Sequence, residues 1–245
     1  MVARHGFGYL GQALSSAELM AALVAGPYRP GIDELVCSPG HYIIVFYAAA
    51  FETGALSASD LATYGDDGSK LEAIGTESSP GVDLTTGSLG QGLSGAVGLA
   101  MAQRLRGRDD VSTYALLSDG EMEEGQVWEA AMFAGHHQLS RLTVLLNAND
   151  SQVDGPVSSI TTLEPIAAKW QSFGWDAYDV DGHDVDAVGD ALAAAGAGDR
   201  PGIVIGRTST NHGLSVLPPD ADGHFIKLPP ELAAAVRAEV EGRLA

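Results

Sequence analysis

The sequence predicts an α/β fold: a doubly wound, mainly parallel sheet with helices on both faces. Three observations predict it. Short apolar runs of strand length recur at 35–37, 114–117, 142–146, 177–180 and 202–206, each short enough to be a buried strand. Between them lie segments whose apolar residues recur at helical spacing, such as Val127, Ala130, Ala131, Phe133 and Ala134, and strands alternating with helices imply parallel pairing through crossovers. Oxygen-bearing residues also stand where two successive runs end: Asp119 after the first, and Asn147, Asn149 and Asp150 after the second. In a parallel sheet such ends lie side by side, and ligands bind in the crevice outside them.

In chain order, Ser15 or Ser16 can cap a helix with Glu18 in its first turn, which runs through Val24 and stops at Gly26-Pro27. Leu35-Val36-Cys37 is a short strand, with Cys37 a buried small hydrophobe. Ser38-Pro39-Gly40-His41 is a turn opening a helix over 42–53; a lone histidine there is ordinarily a surface or capping residue. Residues 64–86 are polar and rich in Gly, Ser, Thr and Pro, a loop of a length that is commonly functional in compact domains. From Gly87 a helix runs to Gly107, with glycines at 92, 95 and 98 that suggest close backbone approach to another segment or a ligand. Gly90-Gln91-Gly92-Leu93-Ser94-Gly95 fits G-x-G-x-x-G but follows a polar loop where a nucleotide fingerprint follows a strand. Asp119-Gly120 breaks the 114–117 strand, and Glu121, Glu123 and Glu124 lead into the next helix, where the dipole favours acidic charge. After the 142–146 strand come a helix over 163–173, the 177–180 strand, a helix over 184–195, the 202–206 strand and a closing helix over 231–244. No shift in composition divides the chain, so 1–245 reads as a single domain.

Composition narrows the function. A net charge of −19, from 13 Lys+Arg against 32 Asp+Glu, argues against nucleic acid and against an anionic membrane surface. One cysteine excludes an internal disulfide. There is no basic segment followed by an apolar one, nor a run of about 18 apolar residues, so the expected location is cytoplasmic. At the strand ends, Asp119 offers a carboxylate, Asn149 an amide oxygen, and the turn after it the Ser151 carbonyl. That donor set suits a hard cation, Mg²⁺ or Ca²⁺; Mg²⁺ takes one or two carboxylates and completes its shell with water and phosphate oxygens. Asp119 as a helix cap and Asn149 as a turn residue is the competing reading, and both stand open on spacing alone.

Beyond spacing, the chain carries a resemblance. Ser118-Asp119-Gly120 followed by Asn149, with 149 − 119 = 30, resembles the Gly-Asp-Gly…Asn signature of thiamine diphosphate enzymes, with Ser118 in place of the first glycine. SDGEMEEGQVWEAAMFAGHHQLSRL, NANDSQVDG, CSPGH and PGVDLTTGSLGQGLSGAVGLAMA look like the N-terminal half of transketolase in its two-chain form. The resemblance implies thiamine diphosphate held through Mg²⁺ or Ca²⁺ on Asp119, Asn149 and the Ser151 carbonyl. Gly87, Leu89 and Gly90 would border the cofactor, Leu89 at its aminopyrimidine ring, with Ser118, Gly120 and Glu121 in the diphosphate turn. His41 matches an active-site histidine, and His224 a later one near the cofactor. His212 stands where many relatives carry lysine, in the loop 208–213. Glu124 and Glu129 align with acidic residues between the active sites, and the 87–107 helix would pack at the subunit interface.

Two substrate-facing positions depart from the family. Tyr9 and Thr76 stand where transketolases carry histidine, which implies a kept cofactor and a changed substrate. The helix that usually precedes the Tyr9 loop is almost absent, so either the chain is naturally short or its start lies upstream. The expected reaction is transfer of a two-carbon ketol unit from a ketose donor to an aldose or aldehyde acceptor. An E1-like or carboligase subunit using a 2-oxo acid is the alternative, and a further one is a non-catalytic regulatory role. The glutamate that meets the pyrimidine ring belongs, in this family, to a second domain that the chain lacks. An α2β2 assembly with a separately encoded pyrimidine-binding subunit is therefore expected.

Overall fold

The computed structural model describes residues 1–218 and 223–244. In chain order the elements are α1 (Val2–His5), β1 (Phe7–Gly8), α2 (Leu10–Ser15), α3 (Ala17–Ala25), β2 (Glu34–Pro39), α4 (Ile43–Glu52), α5 (Ala58–Leu61), β3 (Leu84–Thr86), α6 (Gln91–Leu105), β4 (Thr113–Ser118) and α7 (Gly125–His136). They continue with β5 (Leu142–Ala148), α8 (Val157–Ile160), α9 (Ile166–Ser172), β6 (Asp176–Asp181), α10 (Val185–Ala197), β7 (Gly202–Arg207), β8 (Ile226–Lys227) and α11 (Pro230–Leu244).

Six strands form one sheet in the order β3-β2-β4-β5-β7-β6, every neighbouring pair parallel. Alternation along the strands sends side chains to two separate cores. Leu35, Cys37, Tyr114, Leu116, Leu145 and Val204 join the core that includes residues of α3, α4 and α10. Val36, Ala115, Leu117, Val144, Leu146, Ile203 and Ile205 join the one that includes α6, α7 and Trp170 of α9. The doubly wound α/β class is confirmed. Each fully buried aliphatic side chain contributes about 1.5–3 kcal/mol, so the central strands anchor the positions of their own ends.

Those ends form the crevice. From β2 the chain passes to β3 on one side and then to β4 on the other, which makes the C-terminal ends of β2 and β4 the place where strand order switches, with the end of β5 next to it. Ser118 pairs with Asn147 across the β4–β5 ladder, so Asp119 and Asn149 leave from adjacent strand ends.

Several local expectations are corrected. Ser16 is the residue before α3 but makes no cap bond; its Oγ donates to the Gln12 carbonyl at 2.6 Å, extending α2 into α3. The last residues of the 64–86 loop form β3, against β2. Glu121 belongs to a single 3-10 turn, Gly120–Glu123, that precedes α7, and its side chain is fully buried, so it is not an exposed charge at a helix start. The helix expected over 163–173 begins only after Pro165, because proline disfavours helical geometry in the residue before it. An antiparallel ribbon, β1 with β8, pairs Phe7 with Lys227 and Gly8 with Ile226. Among the described residues no helix is long and apolar enough to cross a membrane.

Candidate functional site

Asp119 follows β4 directly and is 4% exposed. Its Oδ1 accepts from Gly120 N at 2.9 Å and its Oδ2 from Asp150 N at 2.6 Å. Asp150 is held at φ 55, an uncommon left-handed conformation that aspartate tolerates, and this turns its N–H onto Asp119. Neither lysine nor arginine bonds to Asp119 among the described residues. Burial consequently raises its carboxyl to about 7, against the lowering effect of the two backbone donors. A buried carboxylate without a cationic partner is a costly arrangement that a metal ion relieves.

Asn149 is buried beside it. Its Oδ1 accepts from Ser151 N at 3.0 Å, and its Nδ2 donates to Gln12 Oε1 (2.8 Å), Ser15 Oγ (3.0 Å) and Tyr42 OH (3.2 Å). Asn147 Nδ2 meets the same Ser15 Oγ (2.7 Å) and Tyr42 OH (3.0 Å), and Thr208 Oγ1 donates to Asn147 Oδ1. The oxygens of Asp119 and Asn149 and the Ser151 carbonyl make a donor set that fits a divalent cation, and these residues would hold it.

A third side of the crevice is aromatic. Tyr9 lies 4.9 Å from His41, 5.5 Å from His224 and 5.1 Å from Phe225 between ring centroids, and His41 lies 4.9 Å from His224. Burial, and then the nearness of His224, lowers His41 to about 3, so it is neutral at working pH. Its Nε2 is buried with no partner among the described residues, an atom fit to meet a ligand. The structure thus brings Tyr9, His41 and His224 together and joins them to Asn149 through Gln12.

Comparison with known proteins decides the family. The profile of the transketolase thiamine diphosphate-binding domain matches residues 5–238. The chain belongs to this family. It is 38% identical over 244 residues to an uncharacterized transketolase family protein of Sinorhizobium fredii, covering 95% of this chain and 87% of that protein. It is 36% identical over 250 residues to the 6-deoxy-6-sulfo-D-fructose transketolase subunit SqwG of a Clostridium species, covering 98% of this chain and 90% of the relative. Among solved structures it superposes on the transketolase of Campylobacter jejuni with TM-score 0.81 at 26% identity, over 95% of this chain but 41% of that one.

The remaining transketolase-type positions fall around this crevice or away from it. Glu121 Oε1 accepts from Ser38 Oγ (2.6 Å) and from Gly90 N (2.8 Å), and its own N–H donates to Ser118 Oγ (3.2 Å). One buried carboxylate therefore ties the turn after β4 to the turns that carry His41 and Gly90; burial raises it to about 7 despite those bonds. Gly90 stands at φ 82, and a Cβ there would lie 2.8 Å from the Glu124 Cβ, so glycine is required on both counts. Gly87 is exposed and Leu89 is 37% exposed, both on the turn before α6. Glu124 precedes α7 and Glu129 lies on it, both exposed; Glu129 borders an open apolar groove with Val97, Met101, Leu105 and Phe133. Thr76 follows Gly75, whose N–H donates to the Gly40 carbonyl at 2.8 Å, which lays this loop against the His41 turn.

His212 lies elsewhere. It stacks on His183 at 3.6 Å and faces Glu18 at 3.8 Å. These three could suggest a cation cage, but Ser209 N donates to His183 Nε2 at 2.8 Å, which places the ring proton on Nδ1, 3.1 Å from Glu18. Stacked rings also send their lone pairs along parallel lines and do not converge on one ion. The group is a hydrogen-bonded clip on the 208–213 loop. Sequence reading missed Gln12, Ser15, Tyr42 and Ser38. One local signal existed: Gln12 and Tyr9 are three apart, at helical spacing.

Proposed function

We propose that this chain is the diphosphate-anchoring subunit of a thiamine diphosphate-dependent ketol transferase, one that moves a two-carbon unit from a ketose to an aldose or aldehyde. The observation that carries this reading is Asp119, a buried carboxylate beside Asn149 with no cationic side chain bonded to it among the described residues. Asp119, Asn149 and the Ser151 carbonyl hold Mg²⁺ or Ca²⁺, and through it a diphosphate. Thiamine diphosphate supplies, at its thiazolium C2, the carbon nucleophile that takes up and releases the ketol fragment. Neutral His41 with its unpartnered Nε2, and Tyr9 beside it, meet the hydroxyl and carbonyl oxygens at the reacting end of the substrate by hydrogen bonding. Tyr9 and Thr76 stand where transketolases carry histidine, which supports a substrate other than a common pentose phosphate.

A partner chain completes the site. Two relatives carry names that mark them as subunits: SqwG, and an apulose-4-phosphate transketolase component of Phocaeicola vulgatus, the latter 30% identical over 226 residues and covered over 80% of its length. The exposed Leu89, Glu124 and Glu129 and the groove between α6 and α7 suit contact with a pyrimidine-binding subunit in an α2β2 assembly, and the chain's composition suits the cytoplasm. Calorimetry on the assembled enzyme tests the reading: Asp119→Ala abolishes metal-dependent binding of thiamine diphosphate. Unchanged affinity with metal still required would sink it.

A further inference from the structure

Two buried hydroxyls are shared by both asparagines of the site. Tyr42 follows His41 in the chain, Ser15 ends α2, and both are 0% exposed. Asn149 Nδ2 lies 3.0 Å from Ser15 Oγ and 3.2 Å from Tyr42 OH; Asn147 Nδ2 lies 2.7 Å and 3.0 Å from the same two atoms. Ser151 N faces the other end of the Asn149 amide. A backbone N–H can only donate, so that end is the oxygen and the end at the hydroxyls is NH2. Asn147 is turned the same way, its Oδ1 taking the Thr208 hydroxyl. The amide hydrogens of Asn149 are also met by Gln12 Oε1, but those of Asn147 have only the two hydroxyls among the described residues. A hydroxyl oxygen carries two lone pairs, so the set is satisfied as it stands. With either hydroxyl gone, Asn147 keeps two hydrogens and one acceptor, and the two amides compete for that acceptor.

We propose that Ser15 and Tyr42 are positioning residues for the divalent cation, a hydroxyl pair that holds the Asn149 amide with its oxygen free for the metal. This rests on the cation site proposed above. A cation at Oδ1 draws charge from the amide and makes its NH2 a stronger donor; acceptors at the NH2 in turn make the oxygen a better ligand. The hydroxyls therefore hold the amide more tightly when the cation is bound, so they act on metal affinity and not on folding alone. Asn147 carries the effect to the other ligand, since its carbonyl oxygen accepts from Asp119 N at 3.3 Å. The pair also comes from the elements that carry the aromatic wall: α2 starts after Tyr9, and Tyr42 adjoins His41. Cation ligands and wall are thus placed by the same two segments.

Calorimetric titration of Mg²⁺ into the assembled enzyme, with thiamine diphosphate present, measures the pair. Tyr42→Phe keeps the ring and removes the hydroxyl, and it should raise the Mg²⁺ Kd about 10–100-fold, the loss typical when an outer partner of a metal ligand is removed. Ser15→Ala should do the same. Tyr47→Phe is the control for a general loosening of the core: Tyr47 is also 0% exposed and on α4, but its hydroxyl donates to Ser79 Oγ at 3.0 Å and bonds to neither asparagine. Its Mg²⁺ affinity should match wild type. An unchanged Kd in Tyr42→Phe, or an equal rise in Tyr47→Phe, overturns the proposal. If Tyr42→Phe fails to fold, Ser15→Ala decides by the same two outcomes. A wild-type assembly that binds thiamine diphosphate without a divalent cation overturns the cation site, and the pair with it. A wild type that needs Mg²⁺, beside a Tyr42→Phe variant that binds it equally well, leaves the cation site standing and overturns the pair alone.

Discussion

Asp119→Asn removes the buried charge at the proposed cation site while keeping the shape of the side chain. Burial lifts the Asp119 carboxyl from 3.8 to about 7. Between those values the folded chain holds a proton that the unfolded chain has released, so this group lowers stability as pH rises from about 4 to about 7, and its effect is constant above that. At about 1.4 kcal/mol per pKa unit, the ionised carboxylate costs the metal-free fold about 4 kcal/mol at pH 8. Asparagine avoids that cost but turns an NH2 toward one backbone N–H, losing about 1–3 kcal/mol. The variant should thus be more stable than wild type by about 2 kcal/mol at pH 8, a Tm rise of about 4–8 °C for a chain of this size. At pH 4 the order reverses, because Asp119 is protonated in the folded wild type and partly so in the unfolded chain, and mainly the hydrogen-bond loss remains. Calorimetric scans in EDTA at both pH values measure this, and Mg²⁺ added at pH 8 should stabilise wild type alone. A variant less stable than wild type at both pH values would refute the reasoning.

Gly90→Ala should destabilise the chain by at least about 1–2 kcal/mol, the cost of a left-handed alanine, with its Cβ clash against Glu124 in addition; urea unfolding measures it. Glu124 is exposed, so Glu124→Gln should leave Tm unchanged and lower turnover in the assembled enzyme, and full activity would leave it only a surface role. With Tyr9 and Thr76 at the substrate positions, xylulose 5-phosphate should be a poor donor; steady-state turnover within the ordinary enzyme range, about 1–1000 per second, would contradict this. The purified chain alone, saturated with thiamine diphosphate and Mg²⁺, should show negligible ketol transfer, with activity appearing on addition of the partner subunit.

The sheet was legible because its strands are buried on both faces, and such strands read as continuous apolar runs: residues 114–117 and 142–146 lie inside β4 and β5. β3 and β8 have three and two residues, too few to show a period, and their pairing is fixed by contacts distant in sequence. At the site, Asp119 and Asn149 stood out because polar residues end apolar runs. Glu121 entered only through the resemblance and its burial was not legible, since an acidic residue after a turn has the same local appearance whether it is solvated or buried; only the approach of Ser38 and Gly90 tells them apart. The spacing of Gln12 from Tyr9 could not show what its side chain meets, as its partners Asn149 and His224 lie 137 and 212 residues away.

The β1–β8 ribbon has a kinetic consequence. It joins Phe7–Gly8 to Ile226–Lys227, and with it the 212-residue separation between Gln12 and His224 is closed. In an unfolded chain, closure over that separation costs about 5 kcal/mol by the (3/2)RT ln n dependence, so the ribbon forms after the sheet has shortened the path between its ends. During synthesis Asp119 and Asn149 emerge before His224 leaves the ribosome. A nascent chain therefore carries the strand ends of the crevice before its last residues are made, and the aromatic wall is set in place last, by a latch of two residues on each side.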